Sequence, residues 1–219
     1  DMTVTGITFD SGWAGTYNMG NYNLTRTSSI GSITIRGTFI HGSGTLTTTT
    51  TGSGLTMGGA TDTFTGGSGT VDIQGTSNSA VNFTDGTVTL PNTFKTKGGF
   101  VLNANIDSFS NNSGEVEYYG TTTGFMSIGS SWSLNNYLHS GTGEMRRNSS
   151  VTIGGTFRQS AGTFTNGGNN LTTTITGLAT ISGGTFGSST ATGITDTFNG
   201  GLTISGGTYT PGSSGHTLD

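Results

Sequence analysis

A chain of 219 residues with 41 glycines, no cysteine, 8% charged and 29% hydrophobic residues departs far from an ordinary soluble domain, in which about a quarter of residues are charged and nearly half apolar. Low charge with plentiful Thr, Val, Ile and Phe excludes the highly charged composition of a disordered chain and favours strands. A net charge of −4 argues against a nucleic-acid partner, which demands a basic face, and no stretch approaches the ~20 apolar residues of a membrane span.

Strand-like alternation begins at once, at Met2 and Val4, and one phrase then recurs along the chain: apolar-x-apolar, a Gly-rich turn, then Thr-aromatic. Ile33-Thr34-Ile35 precedes Gly37-Thr38-Phe39, and weaker copies start at Leu55/Met57, Val81/Phe83, Phe100/Leu102 and Met126/Ile128. Clear copies return as Val151-Thr152-Ile153 before Gly155-Thr156-Phe157, Ile181 before Gly184-Thr185-Phe186, and Leu202-Thr203-Ile204 before Gly207-Thr208-Tyr209. A second strand follows many of them, as in Gly44-Thr45-Leu46, Gly69-Thr70-Val71, Gly86-Thr87-Val88, Gly114-Glu115-Val116, Gly143-Glu144-Met145 and Gly162-Thr163-Phe164. The copies lie about 24 residues apart, giving about nine units, and fixed periods of 20–50 residues mark repeat architectures.

No helical period is present, and Gly with β-branched residues opposes a helix. The unit is too short for a propeller blade, and no regular Asn-Gly or Asp-Gly turns signal hairpins. The expected fold is therefore all-β: a parallel β-solenoid (β-helix) of about nine rungs, essentially without helix, in a single domain over 1–219 whose least regular rungs fall at about 91–147. At ~4.8 Å per rung the rod would be about 43 Å long. Ile33, Ile35, Phe39, Leu46, Leu55, Met57, Phe64, Val71, Ile73, Val88 and Leu90 are expected to point inward, with Thr in outward ladders and Gly at corners of positive φ.

Catalysis needs a convergent set of acids, bases or ligands. His41, His139 and His216 are far apart and read as isolated surface residues, and Asp62, Asp72, Asp85, Asp107 and Asp196 are scattered singly. The expectation is that the chain is not an enzyme and uses no cofactor or metal. Function-like side chains gather only between Pro91 and Arg147, where Tyr118, Tyr119, Trp132, Tyr137, Arg146 and Arg147 form a possible contact face, since Tyr, Trp and Arg are favoured at interfaces. Glu115-Val116-Glu117 and Glu144-Met145-Arg146 share one pattern, which predicts adjacent rungs with Glu117 beside Arg146. Thr runs are similar to the Thr-x-Thr ladders of ice-binding solenoids. The equivalent places, however, read as Thr70/Asp72, Thr87/Thr89, Glu115/Glu117 and Glu144/Arg146, a broken ladder. Asn23, Asn82, Asn111, Asn148 and Asn170 each open an Asn-x-Ser/Thr triplet and are possible glycosylation sites, although triplets arise by chance in a chain so rich in Ser and Thr.

The phrases Val151 to Phe157 and Leu202 to Tyr209 resemble the β-helical repeats of bacterial surface adhesins and autotransporter-type passengers. The resemblance covers most of the chain and implies a secreted or surface-displayed shaft; it carries no catalytic residues. The chain opens at Asp1-Met2 without a basic or apolar leader, which reads as a processed form or a fragment. Lack of cysteine fits a surface protein or a cytosolic one equally. Neither end shows a cap, so Met2, Val4 and Leu218 are expected at an assembly interface. The leading expectation is a structural subunit of an extracellular or cell-surface filament that joins copies of itself head-to-tail. An adhesin stalk or carbohydrate-binding module, with surface glycans as partners, comes second, and a polysaccharide-active enzyme third.

Overall fold

A computed structural model of the protein describes residues 1–10, 12–29, 31–168, 170–187 and 195–211, and the backbone of 216–218. The described residues hold strands of three to five residues and no helix. Each strand pairs in parallel with its equivalent one turn away, which makes the chain a β-solenoid of about nine turns.

Sheet A runs the whole length, ten strands from Met2–Val4 to Leu202–Ile204, and sheet B has nine, from Ile33–Ile35 to Thr208–Thr210. The third side of the coil is divided. Sheet C has five strands, from Thr16–Asn18 to Ile106–Ser110, and sheet D has four, from Val151–Ile153 to His216–Leu218. Between them, among the described residues, the Leu134–Ile153 bridge alone carries the third side forward. The least regular part of the sequence is thus irregular on one side only, while sheets A and B pass through it.

Alternation sorts the side chains. Met2, Leu24, Leu46, Val71, Phe94, Val116, Tyr137, Phe157, Ala179 and Leu202 form one inward column of sheet A. The eleven residues expected to face inward are all buried. Because turns repeat, equivalent rings stack: Phe39 lies 5.9 Å from Phe64, and Phe164 lies 5.3 Å from Phe186. Such pairs contribute about 0.5–1.5 kcal/mol each beyond their burial.

Positive φ explains only some corner glycines. Gly42 has φ of +74° and needs that freedom, but its Cβ would also stand 1.9 Å from the carbonyl oxygen of Gly20 in the turn below. Gly67, without positive φ, would place a Cβ 2.0 Å from the carbonyl oxygen of Gly42. Close approach of one corner backbone to the next is the second reason these positions exclude a side chain.

One register expectation fails. Glu115–Tyr118 belongs to sheet A and pairs with Asn136–His139, whereas Glu144–Arg147 belongs to sheet B and pairs with Thr163–Thr165. Val116 and Met145 do face inward, but Glu117 and Arg146 lie on different sheets. Both segments follow a Gly corner and alternate alike, so local pattern does not say to which side of the coil a strand belongs.

Candidate functional site

A second inward column of sheet A is mostly polar, running Arg26, Thr48, Ile73, Thr96, Tyr118, His139, Gln159 and Ile181. It lies where the chain leaves sheet A, and several of its side chains bond carbonyl oxygens at or near the corner. Thr96 donates to Gly98 O at 3.1 Å, Tyr118 to Thr122 O, and Gln159 Nε2 to Thr185 O at 2.9 Å. His139 Nε2 lies 3.2 Å from Gly143 O and donates as the neutral ring, while its buried Nδ1 has no partner. Burial therefore lowers its pKa to about 4, against two weaker carbonyl contacts that raise it. Burial likewise lowers that of His41, whose Nε2 meets Thr70 O at 3.1 Å. Neither is the surface histidine its isolation in the sequence suggests, because each ring is buried with its Nε2 on a backbone carbonyl oxygen. The side chain of His216 lies outside the described residues.

A second buried polar group sits inside sheets B and D. Arg147, fully buried, donates to Thr173 and stands 4.0 Å from the Asp196 carboxylate, itself fully buried. Its guanidinium lies 5.4 Å from the Phe164 ring centre, and Tyr209 donates to Asp196 at 3.3 Å. Desolvation lowers the Arg147 pKa to about 10, opposed by the Asp196 charge. The alternation Met145-x-Arg147 and Asp196-x-Phe198 was the available signal for this pair, since every second strand residue points inward.

The outer surface of sheet A carries a ladder of charged side chains, Asp72, Glu115 and Glu117 against Lys95, Lys97 and Arg158, that is internally balanced. Lys95 pairs with Glu117 at 3.1 Å, Arg158 reaches Glu115, and Tyr119 donates to Asp72. Lys95 and Lys97 lie 5.0 and 5.4 Å from the centre of the Tyr119 ring. Burial, then the Asp72 hydrogen bond, raises the Tyr119 pKa far above its ordinary value. Beside this ladder runs an open groove of about 400 Å³ lined by Thr, Ser, Gln74 and Lys97.

The proposed contact face does not assemble. Tyr118, Tyr137 and Arg147 are interior, which overturns them as surface contacts; strand alternation aims them inward where composition alone suggested an interface. Tyr119 lies on the outer corner of sheet A, Arg146 on sheet B paired to Glu144 at 3.0 Å, and half-buried Trp132 at the break in the third side, 5.8 Å from Phe109. A groove of about 340 Å³ follows that break, lined by Phe109, Asn111 and Trp132 with three serines. Of the Asn-x-Ser/Thr positions, Asn148 and Asn170 are exposed and Asn82 points out of sheet B. Asn23 is exposed but accepts from Thr45 N at 2.8 Å, and Asn111 spends its amide on Ser133 O at 3.2 Å.

Among the described residues no three His, Asp or Glu side chains converge as metal ligands, and no described helix is long and apolar enough to cross a membrane. At the ends of the coil Met2 is 43% exposed and Ile204 48% exposed, Val4 is half-buried, and the side chain of Leu218 lies outside the described residues. Met2 lines a cavity of about 210 Å³ at the first turn, with Tyr17, Met19, Tyr22 and Leu24. No protein-family model matches the chain, and no match is found among curated proteins or solved structures.

Proposed function

We propose that the protein is a structural element, a subunit of an extracellular or cell-surface filament that adds copies of itself end to end. One observation carries the reading: the outer edges of the end strands Met2–Val4 and Leu202–Ile204 have no strand partner among the described residues, and apolar side chains stand exposed there. Unpaired parallel edges are templates for another strand. Leu202-Thr203-Ile204 repeats the alternation of Met2-Thr3-Val4, so the two can meet in the register used by every internal pair of sheet A. Burial of the remaining exposed surface of Met2 and Ile204 at such a junction would contribute about 1 kcal/mol each. The contact is heterologous and does not close, so it makes fibres. The balanced charges of sheet A and the buried histidines support a scaffold and not a catalyst.

The test is elongation. Negative-stain microscopy and sedimentation should show concentration-dependent rods for the wild type, and Ile204→Lys or Val4→Lys should hold the protein at one rod length with unchanged circular dichroism. A wild type that stays monomeric at millimolar concentration overturns the filament reading. The adhesin-type stalk, in which further turns of a longer chain cover the same edges, would then take its place.

A further inference from the structure

Sheet C carries two adjacent outward columns of hydroxyl side chains, where sheet D has the single column Thr152, Thr174 and Thr197. Its strands pair in register as Thr16, Thr38, Thr63, Thr87 and Ser108 in one outward column, and Asn18, Ile40, Thr65, Thr89 and Ser110 in the other. The sequence-level comparison that broke the Thr ladder mixed three sheets: Thr70/Asp72 and Glu115/Glu117 are in sheet A, Glu144/Arg146 in sheet B, and Thr87/Thr89 in sheet C. Within sheet C the ladder continues over five strands, interrupted only by Asn18, Ile40 and a register shift beside Gly86.

Three properties distinguish this grid from the outer faces of sheets A and B. Its threonine hydroxyls are unspent: Thr38, Thr63, Thr65, Thr87 and Thr89 make no side-chain hydrogen bond to a described residue, while Ser110 Oγ at the far end accepts from Asn112 N at 3.3 Å. On sheet B, by contrast, Ser32, Thr34 and Thr56 bond one another at 3.0–3.2 Å, and at the outer corner Thr49 and Thr51 donate to carbonyls of the preceding turn. The two outward columns carry no charge, whereas sheet A holds Asp72, Lys95, Glu115, Glu117 and Arg158; at the corner before sheet C stand Asp85 and the Arg36–Asp62 pair at 3.2 Å, and Asp107 lies in the bulged strand. The backing is stiff, because Tyr17, Phe39 and Phe64 stack inward behind the first three strands at 5.4 and 5.9 Å.

Spacing selects the ligand. Parallel strands place equivalent hydroxyls ~4.8 Å apart along the rod and ~6.7 Å apart along a strand. Tetrahedral water with hydrogen bonds of ~2.75 Å has second neighbours about 4.5 Å apart and a stacking repeat of about 7.3 Å. The mismatch is about 0.6 Å across the two columns and about 0.3 Å per turn, which adds up to about 0.6 Å over three strands; both are within the swing of a Thr hydroxyl in its rotamer well, so runs of about three strands match one lattice at a time. A sugar chain would want an aromatic platform, and no outward ring stands on sheet C. We propose that sheet C is a binding surface for ordered water, through which the protein adsorbs to ice. The Thr hydroxyls take lattice positions, the γ-methyl groups fill the gaps between them, and the absence of charge leaves the lattice undisturbed.

The experiment uses the whole chain in buffered ice suspensions, with ice shaping and recrystallisation rate as readouts. Wild type should facet growing crystals and slow recrystallisation. Thr65→Lys and Thr89→Tyr should each need at least tenfold more protein for the same effect, while Thr25→Lys, outward on sheet A, should match wild type. Circular dichroism checks that each variant folds; if Thr65→Lys does not, Thr89→Tyr decides. Unshaped ice with the wild type, equal loss in the sheet A control, or retention on crystalline cellulose instead of ice would each overturn the proposal. Filament formation is read separately, so failure of either idea leaves the other standing.

Discussion

Replacing His139 with Gln should flatten the pH dependence of stability between pH 7 and pH 5. In the unfolded chain the ring titrates near its ordinary 6.5; in the folded chain burial lowers its pKa to about 4. A depressed folded pKa means that the folded state resists the proton. Above pH 6.5 the ring is neutral in both states and costs nothing. As pH falls below 6.5 the unfolded state gains a proton that the folded state refuses, and stability drops by ~1.4 kcal/mol per unit until the folded ring titrates near 4. By pH 5 the loss attributable to this one ring is about 2 kcal/mol, before most carboxylates begin to protonate. Glutamine can keep the bond to Gly143 O, as Gln159 does for carbonyls one turn on, without a titrating group. Unfolding free energies from urea denaturation should thus fall between pH 7 and pH 5 by about 2 kcal/mol more in the wild type than in His139→Gln. Because solenoid turns can open locally, hydrogen exchange of the amides in 137–143 should show the same difference. Any contribution of His41 is common to both proteins and cancels. Equal pH slopes, or an NMR titration of His139 near 6.5, would refute the reasoning.

The buried pair gives a larger effect: Arg147→Ala should destabilise by about 3–5 kcal/mol, since Asp196 is left charged and buried, whereas Arg146→Ala beside it, half exposed, should cost no more than about 1 kcal/mol, both read by urea denaturation. Gly67→Ala should cost about 1–3 kcal/mol by forcing two corner backbones apart, while Gly6→Ala, whose Cβ would meet nothing within 4 Å, should leave the melting temperature unchanged.

Period and alternation by themselves determine that this chain coils as parallel strands, and they name its apolar interior correctly, because a two-residue strand period leaves each side chain only two directions. Ile33, Leu46 and Val88 needed nothing more. Alternation also held the information that Tyr118, His139 and Arg147 point inward, but polarity argued for the surface and only the corner carbonyls and Asp196 justify their burial. What the tertiary structure alone decided is which side of the coil each strand joins. Corners of similar glycine content separate A from B and C from A, so Thr87/Thr89 and Glu115/Glu117 look equivalent along the chain while standing on different sheets. Turn length varies from 19 residues between Val81 and Phe100 to 26 between Leu55 and Val81, so counting cannot restore the register. The ladders of sheet C, the pairing of Lys95 with Glu117 and the break at Trp132 all depend on that register, which backbone pairing between turns sets.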